Sequence, residues 1–446
     1  MNPGDRIRVE QEARTVEGIY LPSSTDEHLV VKLDGGYNVG IGRESASVEV
    51  LEADVYSIGG EDDGELDGDE SETVDGAEAV DGEPMGEDDG PDEDEARSTV
   101  ETDDELPTIA LLSTGGTIAS TVDYRTGAVT AQFDAEDVLR AVPDLAGRAN
   151  YRGRVVSNIL SENMEPTIWQ ELARAVYEEI DAGADGVVVM HGTDTMQYTA
   201  AALAFALETP VPIVLTGSQR SADRPSSDNV MNAVCAVEAA TADCAEVLVC
   251  MHASESDDVC ALHRGTRVRK NHTSRRAAFE TVGGEPLGTV RYDDGAVSFA
   301  GEYRERGAVE LALAAELETD VELIKFVPGM DPAFLDVAVG KAGLVVEGTG
   351  LGHVHTDLVP KIESLVENGT TVVTTSQCLD GRVCNRVYDT GRDLLAAGAI
   401  EAGDTLPETA LVKLMWTLAN VEDDAVAETM GTSLVGELRE RSVPWT

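Results

Sequence analysis

A chain of 446 residues, 42% of them hydrophobic, is long enough for two or three domains with sizeable cores. Its formal net charge of −53 argues against nonspecific nucleic-acid binding through bulk charge, leaving a local basic patch or a partner as the routes to such a ligand. Residues 59–105 hold 23 acidic side chains against one arginine, yet the remainder still carries 62 against 31, with six lysines to 26 arginines, which reads as a surface solvated in a halophilic host.

In chain order, residues 1–55 alternate strand-like runs with turns: Arg6–Val9, Val16–Tyr20, Leu29–Leu33, Tyr37–Ile41 and Ser47–Leu51. Asp34-Gly35-Gly36 is a hairpin signal between the third and fourth. Five such strands predict a small β-barrel that docks or binds. Residues 56–106 are acidic and Gly-rich, with too few apolar side chains to offset their ordering entropy, and predict a disordered linker.

From residue 107 the pattern changes to strands alternating with helices, the mark of an α/β fold with parallel sheets and crossover helices. Expected strands are Ile109–Leu112, Val155–Leu160, Val187–Met190, Val211–Leu215 and Val247–Met251. Expected helices cover 136–142, Ile168–Ala182, Thr199–Leu207 and Asn229–Ala240. A second α/β unit is marked by Leu323–Phe326, Gly343–Glu347, Thr371–Thr375 and a helix Glu408–Leu418. We therefore divide the body into residues 107–315 and 316–440. The six cysteines show no CxxC pair or zinc spacing and read as buried thiols. No apolar run suits a signal core or a bilayer span, so the expected location is cytoplasmic, away from membrane.

Chemistry concentrates where apolar strands end in hydroxyl-rich turns, since open α/β sheets bind ligands beyond their strands' carboxyl ends. Thr114-Gly115-Gly116-Thr117 suits a nucleophile on a flexible loop, but taken alone it is more often a tight turn or a phosphate cradle lacking the usual lysine. His191-Gly192-Thr193-Asp194-Thr195 is more specific. A threonine hydroxyl needs a base or nearby cation for activation, and Lys270 is a candidate that competes with a plain ion-pairing role. His191 reads as a structural hydrogen bonder. Ser161 and Glu162 suit either the grip of an amino acid's charged groups or a helix N-cap before Pro166. His353 and His355 would share one strand face, but with no third ligand a structural role is favoured.

Thr114–Ala119 and His191–Thr195 resemble the two signature motifs of the bacterial-type L-asparaginase family. Thr216–Arg220, Ser226-Ser227-Asp228 with Asn232-Ala233, Lys325–Met330 and Glu347–Gly352 are further similarities, covering about residues 107–440. The barrel, and Tyr124–Val129 after the first motif, resemble more narrowly the D-subunit family of archaeal glutamyl-tRNA(Gln) amidotransferases. That resemblance implies a two-domain asparaginase-like body behind a small barrel, with Thr114 attacking the side-chain amide of glutamine. Thr193, Asp194 and Lys270 would activate a hydroxyl or water, Tyr124 would assist Thr114, and Ser161 and Glu162, with Asp194, would hold the substrate's α-groups. It implies no cofactor for amide hydrolysis. Ammonia would pass to the amidotransferase E-subunit, which binds Glu-tRNA(Gln) and uses ATP and Mg²⁺, in a heterotetramer built on a homodimer of this chain. Free asparaginases commonly have asparagine where this chain has Leu351, so completion of the site across a dimer is not implied in the same form. A free-standing asparaginase or glutaminase and a silent amino-acid-binding scaffold are the alternatives.

Overall fold

The computed structural model describes residues 4–11, 14–21, 28–33, 38–43, 46–53, 55, 97–99, 103–115, 120–122, 129–131, 142–221 and 226–441. Tyr124, Gly116, Thr117, the turn at 34–36, nearly all of the expected helix at 136–142 and most of the acidic linker lie outside them.

Strands β1 (Arg6–Gln11), β2 (Arg14–Leu21), β3 (His28–Lys32), β4 (Asn38–Gly42) and β5 (Ser47–Glu52) pair antiparallel in the order β4-β3-β2-β1-β5. Alternation buries Ile7, Val9, Leu29, Val31 and Ile41 on one side and Ile19, Leu21 and Val30 on the other. All five expected strands are present, but barrel closure is not seen among the described residues. Among the described residues β5 pairs with β1 alone, and all six of its residues are exposed. Lys32, 5% exposed, ties this sheet to the body by an ion pair with Asp144 and a 3.4 Å hydrogen bond to the Tyr292 hydroxyl.

The acidic segment is not without structure at its end. Strand β6 (Arg97–Thr99) pairs antiparallel with an edge strand of the body, because such an edge offers unpaired N–H and C=O groups. Chain entry is then bracketed by Asn150, which accepts from the Asp103 N–H and donates to the carbonyls of Asp103 and Leu106.

In the body, β7 (Thr108–Ser113) is followed by a hairpin of β8 (Ser120–Val122) and β9 (Val129–Ala131). β10 (Asn150–Val155), α1 (Pro166–Asp181), β11 (Gly186–Met190), α2 (Met196–Ala206), β12 (Leu207–Glu208), β13 (Ile213–Thr216), α3 (Asn229–Thr241) and β14 (Val247–His252) come next. After them run β15 (Val259–Arg264), β16 (Val268–Lys270), β17 (Phe279–Thr281), β18 (Gly288–Arg291), β19 (Val297–Phe299) and β20 (Ala312–Leu313). A nine-stranded sheet takes the order β19-β18-β15-β14-β13-β11-β7-β10-β6. Its centre, β10 to β14, is parallel, while β15, β18 and β19 add an antiparallel flank.

Both faces of the sheet are covered, which explains the continuous apolar runs. Val188, Val214 and Leu248 pack with α3, while Val187, Val189 and Leu215 pack with α1 and α2. Helix α2 buries nearly every residue because its far side, including Ala201 and Phe205, packs against the second domain. The strand expected over 155–160 lies earlier, at β10. Residues 156–160 leave the sheet to hold the β7 loop instead: the N–H groups of Val156 and Ser157 donate to Ser113 O, and that of Ile159 to Thr114 O.

The second domain has four parallel strands, β21 (Val321–Lys325), β22 (Gly343–Gly348), β23 (Thr371–Ser376) and β24 (Ile400–Glu401), in that order. Helices α4 (Val359–Glu367), α5 (Asp389–Ala396), α6 (Pro407–Asn420) and α7 (Val426–Met430) accompany them. All six cysteines are free: Cys235, Cys244, Cys250 and Cys260 are buried as expected, but Cys378 is exposed and Cys384 half-buried. Among the described residues no helix is long and apolar enough to cross a membrane, and no group of His, Cys, Asp and Glu could hold a metal ion.

Candidate active site

Register brings the two threonine motifs to one rim. Ser113 pairs with Met190 in the parallel β7–β11 ladder, so Thr114 and His191 leave adjacent strand ends side by side. The N–H and hydroxyl of Thr114 both donate to Met190 O, at 3.1 and 3.4 Å, and the residue is 1% exposed. Gly115 follows with φ +100°, and a Cβ there would lie 2.5 Å from Ile159 O. Only glycine fits that conformation against that backbone.

The β11 turn is pinned by Ser161. Its Oγ accepts the N–H groups of Asp194 (3.1 Å) and Thr195 (3.0 Å), and Thr195 Oγ1 donates to Ser161 O at 2.9 Å. Ser161 is therefore engaged in shaping the turn, and it does not cap α1, whose N-cap position is Glu165. Glu162 sits beside it in the short 3₁₀ turn Ser161–Asn163, exposed to solvent. Gly192 is required here too, since a Cβ would lie 2.6 Å from that of Ser161.

Lys270 completes the cluster from 76 residues beyond Asp194. Its Nζ donates to Thr193 Oγ1 at 2.8 Å and to Asp194 Oδ1 at 2.6 Å. The lysine side chain is 8% exposed, whereas that of Asp194 is 65% exposed. The β16–β17 hairpin delivers it, anchored by buried Val268 and Phe279 and by Arg269, whose Nε lies 3.7 Å from Glu408 Oε1 at the start of α6. Both domains thus place this lysine.

His191 is a structural hydrogen bonder, as expected. Its Nδ1 lies 2.6 Å from Gly192 O and its Nε2 2.8 Å from Thr199 Oγ1, and burial lowers its pKa to about 4. His355 Nδ1 accepts the Asp357 N–H at a 3₁₀ turn, and the His353 ring meets Tyr388 edge-on at 5.7 Å between centroids.

A buried polar network lies beneath the rim; Thr216–Arg220, Asp228 and Asn232 stand out in the sequence as family similarities, but without assigned roles, and His252, Asp257 and Arg276 do not stand out. Asp228 accepts the N–H groups of Gln219 and Arg220. Burial pushes its carboxyl up, against the downward pull of those N–H groups and of His252. Asn232 Nδ2 donates to Gly217 O (2.8 Å) and Asp228 Oδ2 (3.1 Å), while its Oδ1 lies 2.6 Å from His252 Nδ1. His252 Nε2 faces Asp257 Oδ1 at 3.3 Å, and Arg276 pairs with the same carboxylate. For His252 itself, the signal in the sequence is a histidine ending the apolar β14 run, as His191 follows β11.

Three family models match the sequence of this chain. "Asparaginase, N-terminal" covers residues 108–303, "Glutaminase/Asparaginase C-terminal domain" residues 320–430, and "GatD N-terminal domain" residues 1–51. The thermostable L-asparaginase from Thermococcus kodakarensis superposes with a TM-score of 0.68 at 32% identity, over 74% of this chain and 99% of that one. L-asparaginase I from Vibrio cholerae gives 0.65 at 26%, over 75% and 99%. The chain belongs to the L-asparaginase family, whose two-domain α/β body with threonine motifs on a shared rim it carries. Full-length similarity is narrower: 64% identity to the glutamyl-tRNA(Gln) amidotransferase D-subunit of Halobacterium salinarum, over 100% of this chain and 99% of that protein. Identity to the D-subunit of Methanosarcina mazei is 51%, over 98% of both. Within the larger family the chain is thus a member of the glutamyl-tRNA(Gln) amidotransferase D-subunit family.

Proposed function

We propose that this chain is the ammonia-producing subunit of a tRNA-dependent amidotransferase, hydrolysing the side-chain amide of glutamine. The observation that carries this reading is the Thr193–Lys270–Asp194 cluster on the strand end next to Thr114. Thr114 Oγ attacks the amide carbon, and its proton passes to the departing nitrogen, so that the C–N bond breaks as ammonia leaves. Water then attacks the acyl-enzyme, releasing glutamate and restoring the Thr114 hydroxyl. Lys270, held between a hydroxyl and a carboxylate, mediates proton exchange with Thr193 for these steps. The Gly115 N–H is engaged by Ser113 Oγ at 3.2 Å. Around the Gly192 turn, the Gly192 and Thr193 N–H groups, which no described residue accepts, are the backbone donors offered to the oxyanion.

In this reading Ser161, Glu162 and Asp194 hold the α-groups of the amino acid, with Ser161 exchanging its turn contacts for substrate. Tyr124 assists Thr114, and hydrolysis needs no cofactor. Ammonia passes to the amidotransferase E-subunit, which carries Glu-tRNA(Gln) and uses ATP and Mg²⁺. This chain forms a homodimer within a heterotetramer, in the cytoplasm. The test is ammonia release from glutamine in molar KCl, with the chain alone, with the E-subunit, and with the E-subunit, Glu-tRNA(Gln) and ATP. Strong stimulation by the full mixture, with Gln-tRNA(Gln) formed, is expected. Full activity of the isolated chain, indifferent to partner and tRNA, would instead establish a free amidohydrolase.

A further inference from the structure

The network beneath the rim touches the reacting cluster at two points. At one, Gly217 lies against Thr193: a Cβ on Gly217 would be 2.5 Å from His191 O and 3.0 Å from Thr193 Cγ2. The direction of the Gly217 peptide therefore limits where the Thr193 side chain can sit, and Asn232 Nδ2 holds that peptide by its carbonyl at 2.8 Å. At the other, Arg276 lies in the turn between β16 and β17, six positions after Lys270, and grips Asp257 and the Glu255 carbonyl. His252 joins the two ends, 2.6 Å from Asn232 Oδ1 and 3.3 Å from Asp257 Oδ1.

The hydrogen-bond inventory allows one orientation of the amide. Asn232 Nδ2 faces two acceptors, Gly217 O and Asp228 Oδ2, so it must be the nitrogen, and Oδ1 must accept from His252 Nδ1–H. Asp228, Asn232 and His252 are all 0% exposed, where an unmade hydrogen bond is costly and the geometry is correspondingly stiff.

We propose that Asn232 and His252 are positioning residues for the Thr193–Lys270 pair, setting Thr193 through Gly217 and the Lys270 hairpin through Asp257 and Arg276. The proposal rests on the amide-hydrolysis reading above. Neither residue touches substrate; each acts on the distance and direction between the Thr193 hydroxyl and the Lys270 amine. Misalignment there slows proton exchange and leaves the substrate's α-group contacts in place.

The experiment measures kcat, KM and thermal unfolding of the full chain, together with the E-subunit, for Asn232→Ala, His252→Gln, Asp257→Ala and Asp257→Asn. Expected is a kcat loss of roughly tenfold to a hundredfold in the first three, with KM within about twofold of the parent. Asp257→Asn, which keeps an acceptor for His252, should recover most of the loss. Should Asn232→Ala fail to fold, the half-buried Asp257 pair decides. Unchanged kcat in Asp257→Ala and His252→Gln, or losses that follow Tm alone with KM rising in step, would overturn the proposal. An inactive parent protein would instead overturn the amide-hydrolysis reading, and this proposal with it.

Discussion

In the amide-hydrolysis proposal, Lys270 serves the chemistry through Thr193 and Asp194 while contributing little to the fold. Lys270 is buried, but its carboxylate partner Asp194 is 65% exposed and keeps its hydration when the lysine is removed. Lys270→Met should therefore cost at most about 1 kcal/mol of stability while lowering kcat by roughly 10²–10⁴; ammonia release and a denaturant melt on the same sample check both. Thr114→Val keeps shape and burial and should abolish ammonia release with an unchanged melt. The signals here differ in kind. Thr114, Thr193 and Asp194 stand out as short polar runs after apolar strands. Lys270 stood as one of two open readings, because nothing local says that a hairpin 76 residues beyond Asp194 returns to it.

Histidine protonation gives a further test at this scale. His191 and His263 are buried and both lowered from 6.5 to about 4. Between those values the unfolded chain binds protons that the folded chain refuses, so stability falls as pH falls through that window. Each histidine contributes on the order of 3 kcal/mol by its lower end. Thermal unfolding from pH 7 to pH 4 at constant salt should show this decline, and His263→Gln should flatten it; a Tm independent of pH above 5 would contradict the assignment.

Among elements, boundaries moved where tertiary contacts outvoted pattern. Val155–Leu160 has the composition of a strand, yet it leaves the sheet after Val155 because its N–H groups satisfy the Ser113 and Thr114 carbonyls. The C-terminal arm is held in a comparable way. Lys413 on α6 donates to Met430 O and Thr432 O and pairs with Glu437 at 2.7 Å, both side chains 0% exposed. Glu437 in turn accepts the N–H groups of Leu434 and Val435. Lys413→Met alone strands a buried carboxylate and should cost about 3–5 kcal/mol. Adding Glu437→Gln should recover part of that loss, as read in urea midpoints; additive losses would contradict the pairing.

For the whole molecule, charge sets the conditions in which the fold is stable. At −53, self-repulsion is weakened once the Debye length drops from about 10 Å at 0.1 M to about 3 Å at 1 M salt. Tm should rise steeply between 0.1 M and molar KCl, and an unchanged Tm would remove the halophilic reading. Lys32 joins the N-terminal sheet to the body, so Lys32→Met should expose the junction to limited proteolysis before the body unfolds.

Strand runs, crossover helices and the two threonine turns were determined by sequence alone, because alternation and strand-end polarity act over a few neighbouring residues. Tertiary structure decided what depends on distant partners. It gave the antiparallel flank of the sheet, the order β4-β3-β2-β1-β5 of the N-terminal strands, and the reach of Lys270 to Thr193. It also assembled the path from Gly217 through Asn232, His252 and Asp257 to Arg276, whose members lie far apart in the sequence. Burial forces those groups to find one another, and burial is a property of the folded chain.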